Sequence, residues 1–176
     1  MVFALATLAA VLAGVLIVAS RRPDDFRVER SIAIAASPEA IASHLDDFHR
    51  WTRWSPWEGL DPAMKRTYSG AEKGVGAVYA WEGNGKVGAG RMEVLASSPS
   101  AVRIKLDFLR PFEAHNQAEF TLVPEGPSTR VEWAMTGPQA FPMKVMGLFM
   151  SMDSMVGKDF EKGLASLKEI SERQAS

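Results

Sequence analysis

The sequence predicts an α+β fold in which a curved, seven-stranded antiparallel sheet closes over a long C-terminal helix. Residues 142–173 place apolar side chains at steps of three and four, the spacing of an amphipathic helix. Between residues 26 and 136, short alternating segments are separated by Gly, Pro, Asn and Ser, as in antiparallel strands. Because the apolar stripe of the helix needs a partner, we expect the sheet to pack on it. Any function should then lie in the space between them.

Composition limits the number of domains and the classes of partner. The chain has 176 residues, of which 47% are hydrophobic, and this suits one well-packed domain. Its 20 basic and 21 acidic residues give a net charge of −1, and no basic run with interleaved aromatic residues occurs. We therefore expect no nucleic-acid partner. The sequence has no cysteine, which excludes disulfides, thiolate metal sites and cysteine nucleophiles.

Residues 2–19 form an apolar run without charge that stops at Arg21 and Arg22. A run of about 18 such residues is at the threshold length of a transmembrane helix. We interpret residues 1–20 as a single-pass membrane anchor and residues 21–25 as a linker. The alternative is a secretory signal peptide, which the small residues before Arg21 favour, but no positive charge precedes the long apolar core. The two arginines favour a cytoplasmic domain.

The first strand is predicted over residues 26–34, where apolar side chains alternate with polar or small ones. Arg30 occupies an otherwise apolar position of this alternation. It could bind a ligand carboxylate or phosphate in a cavity, or it could extend to solvent from near the strand end. Next, Ser37 is a suitable N-cap and Pro38 a suitable first residue for a helix ending near Asp47. A short helical turn over residues 48–54 should follow.

Six further strands are predicted, over residues 64–69, 77–82, 87–95, 101–109, 114–123 and 128–136. Asn84 and Gly85 suit the positive-φ positions of a tight hairpin turn. Gly88 and Gly90 should allow the sheet to bend. Gly83, Gly85 and Gly88 also match the dinucleotide-binding glycine pattern, but no helix follows them. We assign that match to turn and bulge geometry.

Trp51, Trp54 and Trp57 recur every three residues. They could form a lid or an anchor at the membrane interface. Alternatively, Trp51 and Trp54 could be the apolar face of a short helix that packs on the sheet.

The sequence contains few residues that suggest catalysis. His44, His49 and His115 lack metal-ligand spacing, and no serine elbow, paired carboxylates or phosphate loop occurs. We expect no metal, no cofactor and no identifiable catalytic residue. Mostly apolar side chains with a few polar ones are typical of small-molecule pockets. The residues predicted to line such a cavity are Arg30, Tyr79, Trp81, Met92, Phe108, Asn116, Phe120, Trp133, Met152, Met155, Val156 and Phe160.

The order of motifs is similar to that of a known superfamily. A strand over residues 26–34, the helix start Ser37-Pro38-Glu39 and the motif Trp51-Thr52-Arg53-Trp54-Ser55-Pro56-Trp57 come first, and six strands and a closing helix follow. Residues 26–173 thus resemble the START-like superfamily, also called the SRPBCC or polyketide cyclase/dehydrase group, with the Bet v 1-like helix-grip fold. The motifs resemble its bacterial branch. The resemblance implies a seven-stranded sheet that grips the helix, with an apolar cavity between them.

Three functions are compatible with this resemblance, because the superfamily includes aromatase/cyclases, lipid or quinone carriers and co-chaperone-type modules and has no universal catalytic motif. We favour a non-enzymatic, membrane-anchored binding or carrier domain for a small hydrophobic or lipid-like ligand, at a bacterial inner membrane. The alternatives are a cyclase that uses Arg30, Tyr79 or Asn116, and a protein-interaction module that uses Trp57. A cavity of about 300 Å³ or more would favour ligand binding. The methionine-rich first half of the last helix, with Gly147 and Gly157, is the expected gate.

Overall fold

The computed structural model describes residues 2–175, apart from the side chains of residues 2–6, 8, 9, 11 and 175. The helices are α1 (Val2–Ser20), α2 (Pro38–Leu45), a 3₁₀ helix (Phe48–Arg53), α3 (Phe141–Met146) and α4 (Met152–Ala175). The strands are β1 (Asp25–Ile34), β2 (Lys65–Gly70), β3 (Ala77–Glu82), β4 (Ala89–Ser98), β5 (Ala101–Arg110), β6 (Ala114–Glu125) and β7 (Ser128–Pro138).

The strands form one seven-stranded sheet in the order β1-β7-β6-β5-β4-β3-β2, and each neighbouring pair is antiparallel. Each predicted strand is present, with ends that differ by only a few residues. Inward positions such as Val102 and Ile104 are fully buried, whereas Arg103 and Lys105, which alternate with them, are exposed. The α+β prediction is therefore confirmed, and the helix-grip fold fits the observed architecture.

The sheet is irregular at Gly90, as the sequence indicates. The register between β4 and β5 shifts between Ala89 and Gly90. A Cβ atom on Gly90 would lie 2.4 Å from the Trp81 ring and 2.6 Å from the carbonyl oxygen of Asp107. Only glycine lets the strands approach the indole ring so closely at this bulge.

The predicted Asn84-Gly85 primed turn is wrong. Neither residue has a positive φ, and in this connection that conformation belongs to Gly88, at 63°. The Asn84 carbonyl oxygen accepts hydrogen bonds from the amides of Val87 and Gly88, so the connection between β3 and β4 is longer than a two-residue turn. The tight turn would need φ > 0 at both central residues, and the longer loop requires it only at a glycine.

The segment after β1 packs the first two tryptophans into the core. Helix α2 begins at N-cap Ser37, whose side chain accepts a hydrogen bond from the amide of Ala40. Trp51 and Trp54 are buried, and their indole N–H groups donate to the carbonyl oxygens of Leu45 and His44. The interpretation that these two residues pack into the core is confirmed, with Trp51 in the 3₁₀ helix and Trp54 at its C-cap.

The prediction of one continuous helix over residues 142–173 is wrong, because α3 ends at Met146 and α4 begins at Met152. Gly147 weakens the helix at this point. Ser151 then starts a new helix, since its hydroxyl oxygen accepts a hydrogen bond of 3.1 Å from the amide of Ser154. Phe149, which the helical stripe placed on the buried face, is 81% exposed in the connecting turn.

Helix α4 is fixed on the sheet along most of its length. Phe160, Leu164 and Leu167 are buried in the core, as expected for the second half of the C-terminal helix. Near the end of β1, Lys168 donates to the carbonyl oxygen of Ala33, and Glu172 accepts from the amide of Ala35. These contacts hold the helix across the sheet, and α4 forms one wall of the space beneath it.

Helix α1 coincides with most of the predicted anchor, but part of this prediction falls on Met1 and on side chains outside the described residues. Within the part of the chain that the structure describes, no helix has both the length and the apolar character needed to cross a membrane. The C-terminal end of α1 lies beside α3. Lys144 of α3 is buried and donates to the carbonyl oxygen of Arg22 and the carboxylate of Asp24.

Candidate ligand cavity

A cavity of about 220 Å³ lies between the sheet, the segment after α2 and the first half of α4. Its volume is below the 300 Å³ criterion but above the roughly 150 Å³ that holds a benzene molecule in an apolar protein cavity. The cavity can therefore enclose a small molecule of one or two rings. Its walls are mainly apolar and consist of Trp51, Ser55, Trp57, Glu58, Met64, Tyr79, Trp81, Lys86, Val87, Met92, Leu106, Phe108, Ala118, Trp133, Met135, Val156 and Phe160.

Stacked aromatic rings form the wall next to α4. Trp133 of β7 and Phe160 of α4 stack with ring centres 4.1 Å apart and planes 7° apart. Trp57 meets Trp133 edge-on at 5.7 Å and Phe160 edge-on at 6.2 Å. A planar apolar ligand would find flat ring faces and ring edges of complementary polarity in this wall.

One buried carboxylate interrupts the apolar lining. The side chain of Glu58 is only 8% exposed. Its Oε1 accepts a hydrogen bond of 2.7 Å from the Tyr79 hydroxyl, and its Oε2 accepts one of 2.7 Å from Arg66 Nε. Arg66 also donates from Nη2 to the backbone carbonyl oxygen of Glu58, at 3.1 Å. The guanidinium charge balances the carboxylate, as a buried charge requires.

The protonation states of the two donors follow from their surroundings. Burial, and then the hydrogen bond to the Glu58 carboxylate, raise the pKa of Tyr79 well above its usual range. The hydrogen bond to Glu58 also raises the pKa of Arg66. Both groups therefore remain protonated donors at neutral pH, and the Glu58 carboxylate is their shared acceptor.

Unlike the Glu58 carboxylate, the indole N–H of the lining residue Trp133 has no hydrogen-bond partner. Three buried side-chain atoms in the described residues lack a hydrogen bond: His44 Nδ1, Ser171 Oγ and Trp133 Nε1. Of the residues that carry them, only Trp133 lines the cavity. Its indole N–H is a donor that the protein leaves unsatisfied.

The structure brings seven of the predicted residues together in the lining, namely Tyr79, Trp81, Met92, Phe108, Trp133, Val156 and Phe160. Five others lie elsewhere. Arg30 pairs with Asp153 at 2.6 Å and Glu161 at 2.8 Å, which attaches β1 to α4. Phe120 and Asn116 are buried on β6 outside the lining, Met152 packs against the core, and Met155 is exposed. Tyr79 is thus the member of the proposed cyclase set Arg30, Tyr79 and Asn116 that lines the cavity.

Glu58 is the main residue that sequence reasoning missed. It lies in a loop, where side chains have no periodicity that would indicate their direction. One signal was available: Arg66 shares the inward alternation of Met64 and Tyr68, and a charge on that face requires a buried acidic partner. The sequence predicts Trp57 to be part of a lid, an anchor or a contact surface, but it is half-buried and lines the cavity.

The histidines lie apart from one another and from the cavity lining. His44 bonds to Gln174 at 3.0 Å, His49 to Asp47 at 3.2 Å, and His115 to Asp107 at 2.8 Å. Among the described residues, no group of three or more His, Cys, Asp or Glu side chains could hold a metal ion.

Several solved structures share this fold. The di-domain aromatase/cyclase StfQ of the steffimycin biosynthetic pathway is 11% identical, with a TM-score of 0.65 over 89% of this chain and 53% of that chain. Truncated norcoclaurine synthase from Thalictrum flavum is 11% identical, with a TM-score of 0.61 over 83% of this chain and 92% of that chain. The Aha1 dimer from Colwellia psychrerythraea is 20% identical, with a TM-score of 0.57 over 84% of this chain and 96% of that chain. At these identities the similarity shows the fold alone.

No curated protein matches the sequence. A family model does: residues 25–172 match the family described as polyketide cyclase/dehydrase and lipid transport. The matched range contains all seven strands and nearly all of α4. The sheet, the helix and the cavity between them agree with the architecture that the motifs indicated. The chain therefore belongs to the polyketide cyclase/dehydrase and lipid transport family.

Proposed function

We propose that the protein binds a small, mainly apolar molecule in the cavity and carries or presents it at a membrane. The observation that carries this proposal is the 220 Å³ space, with aromatic walls, between the sheet and α4. A domain that served only as a structural scaffold would be more stable if its side chains filled this space, because residues around an empty volume lose packing contacts. The family match supports the same function, since its description includes lipid transport.

Filling the cavity should abolish binding. Ala118 is a small, buried lining residue on β6. We expect Ala118→Leu to weaken the binding of 2-methylnaphthalene, an apolar two-ring probe, by about tenfold or more, because the larger side chain occupies the ligand space. Equilibrium dialysis with the full chain measures this affinity.

Ala165→Leu is the matched control. Ala165 is an exposed residue of α4 outside the lining, so this variant adds the same volume without entering the cavity. It should bind the probe like the wild type. Equal binding by all three proteins would show that the probe adheres elsewhere and would contradict the proposal.

We also propose that α1 tethers the domain to a membrane. Four large apolar side chains in the second half of α1 are exposed, namely Leu12, Leu16, Ile17 and Val18. Beside the C-terminal end of α1, helix α3 and the turn after it expose Phe141, Met146, Phe149 and Met150. Exposed apolar side chains in such number are typical of surfaces that contact a membrane or a partner. The short segment between α1 and β1 would keep the domain close to the bilayer.

A charge within α1 should release the protein from the membrane. We expect wild-type protein to remain in the membrane fraction after a high-salt wash and to keep residues 1–20 by intact mass. Leu12→Arg should shift the protein toward the soluble fraction, because an arginine within a membrane helix costs about 2.5–3.5 kcal/mol. Ser100→Arg, in the exposed turn between β4 and β5, adds the same charge as a control. Soluble wild-type protein, or a mass that lacks the first segment, would contradict the tether.

The alternatives receive less support from the geometry. The cyclase hypothesis retains Tyr79, but its hydroxyl proton is already donated to Glu58. The protein-interaction hypothesis requires an accessible Trp57, and this ring instead packs against Trp133 and Phe160.

A further inference from the structure

We infer that Glu58 makes the cavity selective for neutral molecules that carry a hydroxyl group, and that its charge disfavours carboxylates such as fatty-acid anions. This inference rests on the proposed function, because it concerns which ligand the same cavity takes. It assigns Glu58 a role in specificity rather than in catalysis.

The acceptor is the Glu58 carboxylate. Each of its oxygens has two lone pairs, and each accepts one hydrogen bond from a protein side chain, from Tyr79 or from Arg66. The lone pairs of the carboxylate that remain can only accept hydrogen bonds. A ligand hydroxyl can donate to it, whereas an apolar ligand leaves it unused. Hydrogen bonds to a charged acceptor are among the stronger ones.

A hydroxyl group is the simplest neutral group that can donate to this acceptor. Trp133 adds no second contact for it, because its indole N–H is buried with no surface that a ligand could reach.

The negative charge of Glu58 disfavours anionic ligands. Arg66 donates from Nε and Nη2 to Glu58 and from Nη1 to the carbonyl oxygen of Met64, so its guanidinium is already engaged. Lys86, the other charged residue of the lining, is exposed to solvent. A ligand carboxylate placed beside Glu58 would therefore meet a like charge, and the exposed Lys86 is the lining cation left to attract it. The repulsion between two carboxylates is strong where water is excluded.

The substitution Glu58→Gln separates this role from a structural one. Glutamine has nearly the same shape, and its amide oxygen can still accept from Tyr79. It removes the negative charge and leaves the Arg66 guanidinium without its anionic partner. Arg66 is not part of the cavity lining, so the main change for a ligand is the loss of the like charge beside it. The disadvantage of 2-naphthoate should therefore disappear.

The test compares three two-ring probes on the full chain at pH 7 by equilibrium dialysis: 2-naphthol, 2-methylnaphthalene and 2-naphthoate. We expect the wild type to bind 2-naphthol about tenfold more tightly than 2-methylnaphthalene and to bind 2-naphthoate most weakly. In Glu58→Gln, 2-naphthoate should gain about tenfold, 2-naphthol should lose its advantage and 2-methylnaphthalene should be unchanged. Glu125→Gln, which neutralises an exposed ion pair with Arg130, should leave the wild-type order intact.

Two results would overturn the inference, and they differ in what they leave standing. If the wild type binds 2-naphthol and 2-methylnaphthalene equally, and Ala118→Leu weakens both, the selectivity is wrong but the cavity still binds ligands. If the wild type binds none of the probes, the proposed function fails together with the inference.

A second variant keeps the inference testable if Glu58→Gln does not fold, as judged by circular dichroism. The double variant Glu58→Gln/Arg66→Met also removes the carboxylate but leaves no unpaired charge. It should reduce the affinity for 2-naphthol several-fold without affecting 2-methylnaphthalene. Equal changes for both probes would contradict the role assigned to the carboxylate.

Discussion

Replacing Phe160 with alanine is expected to lower the free energy of unfolding by about 3–5 kcal/mol. Phe160 is 1% exposed and joins α4 to the sheet through its stacked contact with Trp133. The substitution removes this contact and enlarges the adjacent cavity, and a larger void cannot be refilled by the rigid strands. Since domains are commonly stable by about 5–15 kcal/mol, the loss is a large fraction of the total.

Urea denaturation followed by tryptophan fluorescence would measure this effect, because Trp57 and Trp133 both contact the ring. Met155→Ala on the same helix is the control. Met155 is 47% exposed, so its truncation should cost about 0.5 kcal/mol or less. A loss of similar size in the two variants would contradict the packing of α4 described above.

The strands could be predicted because each has one solvent-exposed face and one buried face. In β5, for example, the alternation of Val102 and Ile104 with Arg103 and Lys105 fixes both the strand and the side that packs inward. The same alternation identifies Arg30 as an inward residue of β1. It does not indicate how far along the strand a side chain lies, so it could not tell that Arg30 meets Asp153 and Glu161 rather than the cavity.

The interruption of the C-terminal helix could not be predicted from periodicity. The apolar spacing continues through Phe149, and a single glycine at position 147 lowers helix propensity by only about 1 kcal/mol. The break depends on local interactions, because Ser151 caps a new helix and the Phe149 side chain is exposed to solvent. Sequence composition pointed to this half of the helix as the weaker one, but only the backbone shows where it ends.

The aromatic part of the cavity was accessible to sequence reasoning, whereas for its polar part the sequence indicates only that Arg66 needs an acidic partner, not which residue that is. Tyr79, Trp81 and Trp133 are on strands, so their parity places them beneath the helix. Glu58 enters the cavity from a loop, and its partner Arg66 is on an edge strand that is distant in the sheet from β7. Loop conformation and long-range pairing are tertiary properties, and neither leaves a regular trace in the sequence.

Arg66→Met is expected to destabilise the protein by about 3 kcal/mol. The substitution keeps much of the apolar contact of the arginine stem but removes the guanidinium, so Tyr79 becomes the remaining side-chain donor to the buried Glu58 carboxylate. An uncompensated charge in an apolar cavity is costly because it has lost both water and its counter-ion. The expected loss is at the lower end for a broken buried pair, since the Arg66 side chain is 24% exposed.

The double variant Glu58→Gln/Arg66→Met decides whether the charge causes this loss. Without the carboxylate no charge is left unpaired, so the double variant should be more stable than Arg66→Met alone by about 2 kcal/mol. Urea unfolding of the wild type, the two single variants and the double variant gives this coupling directly. Additive losses would mean that solvent, rather than Arg66, balances Glu58. A positive coupling would show that Arg66 balances a negative charge on Glu58 in the cavity, and that charge is the feature by which the cavity can distinguish a neutral hydroxyl from an anion.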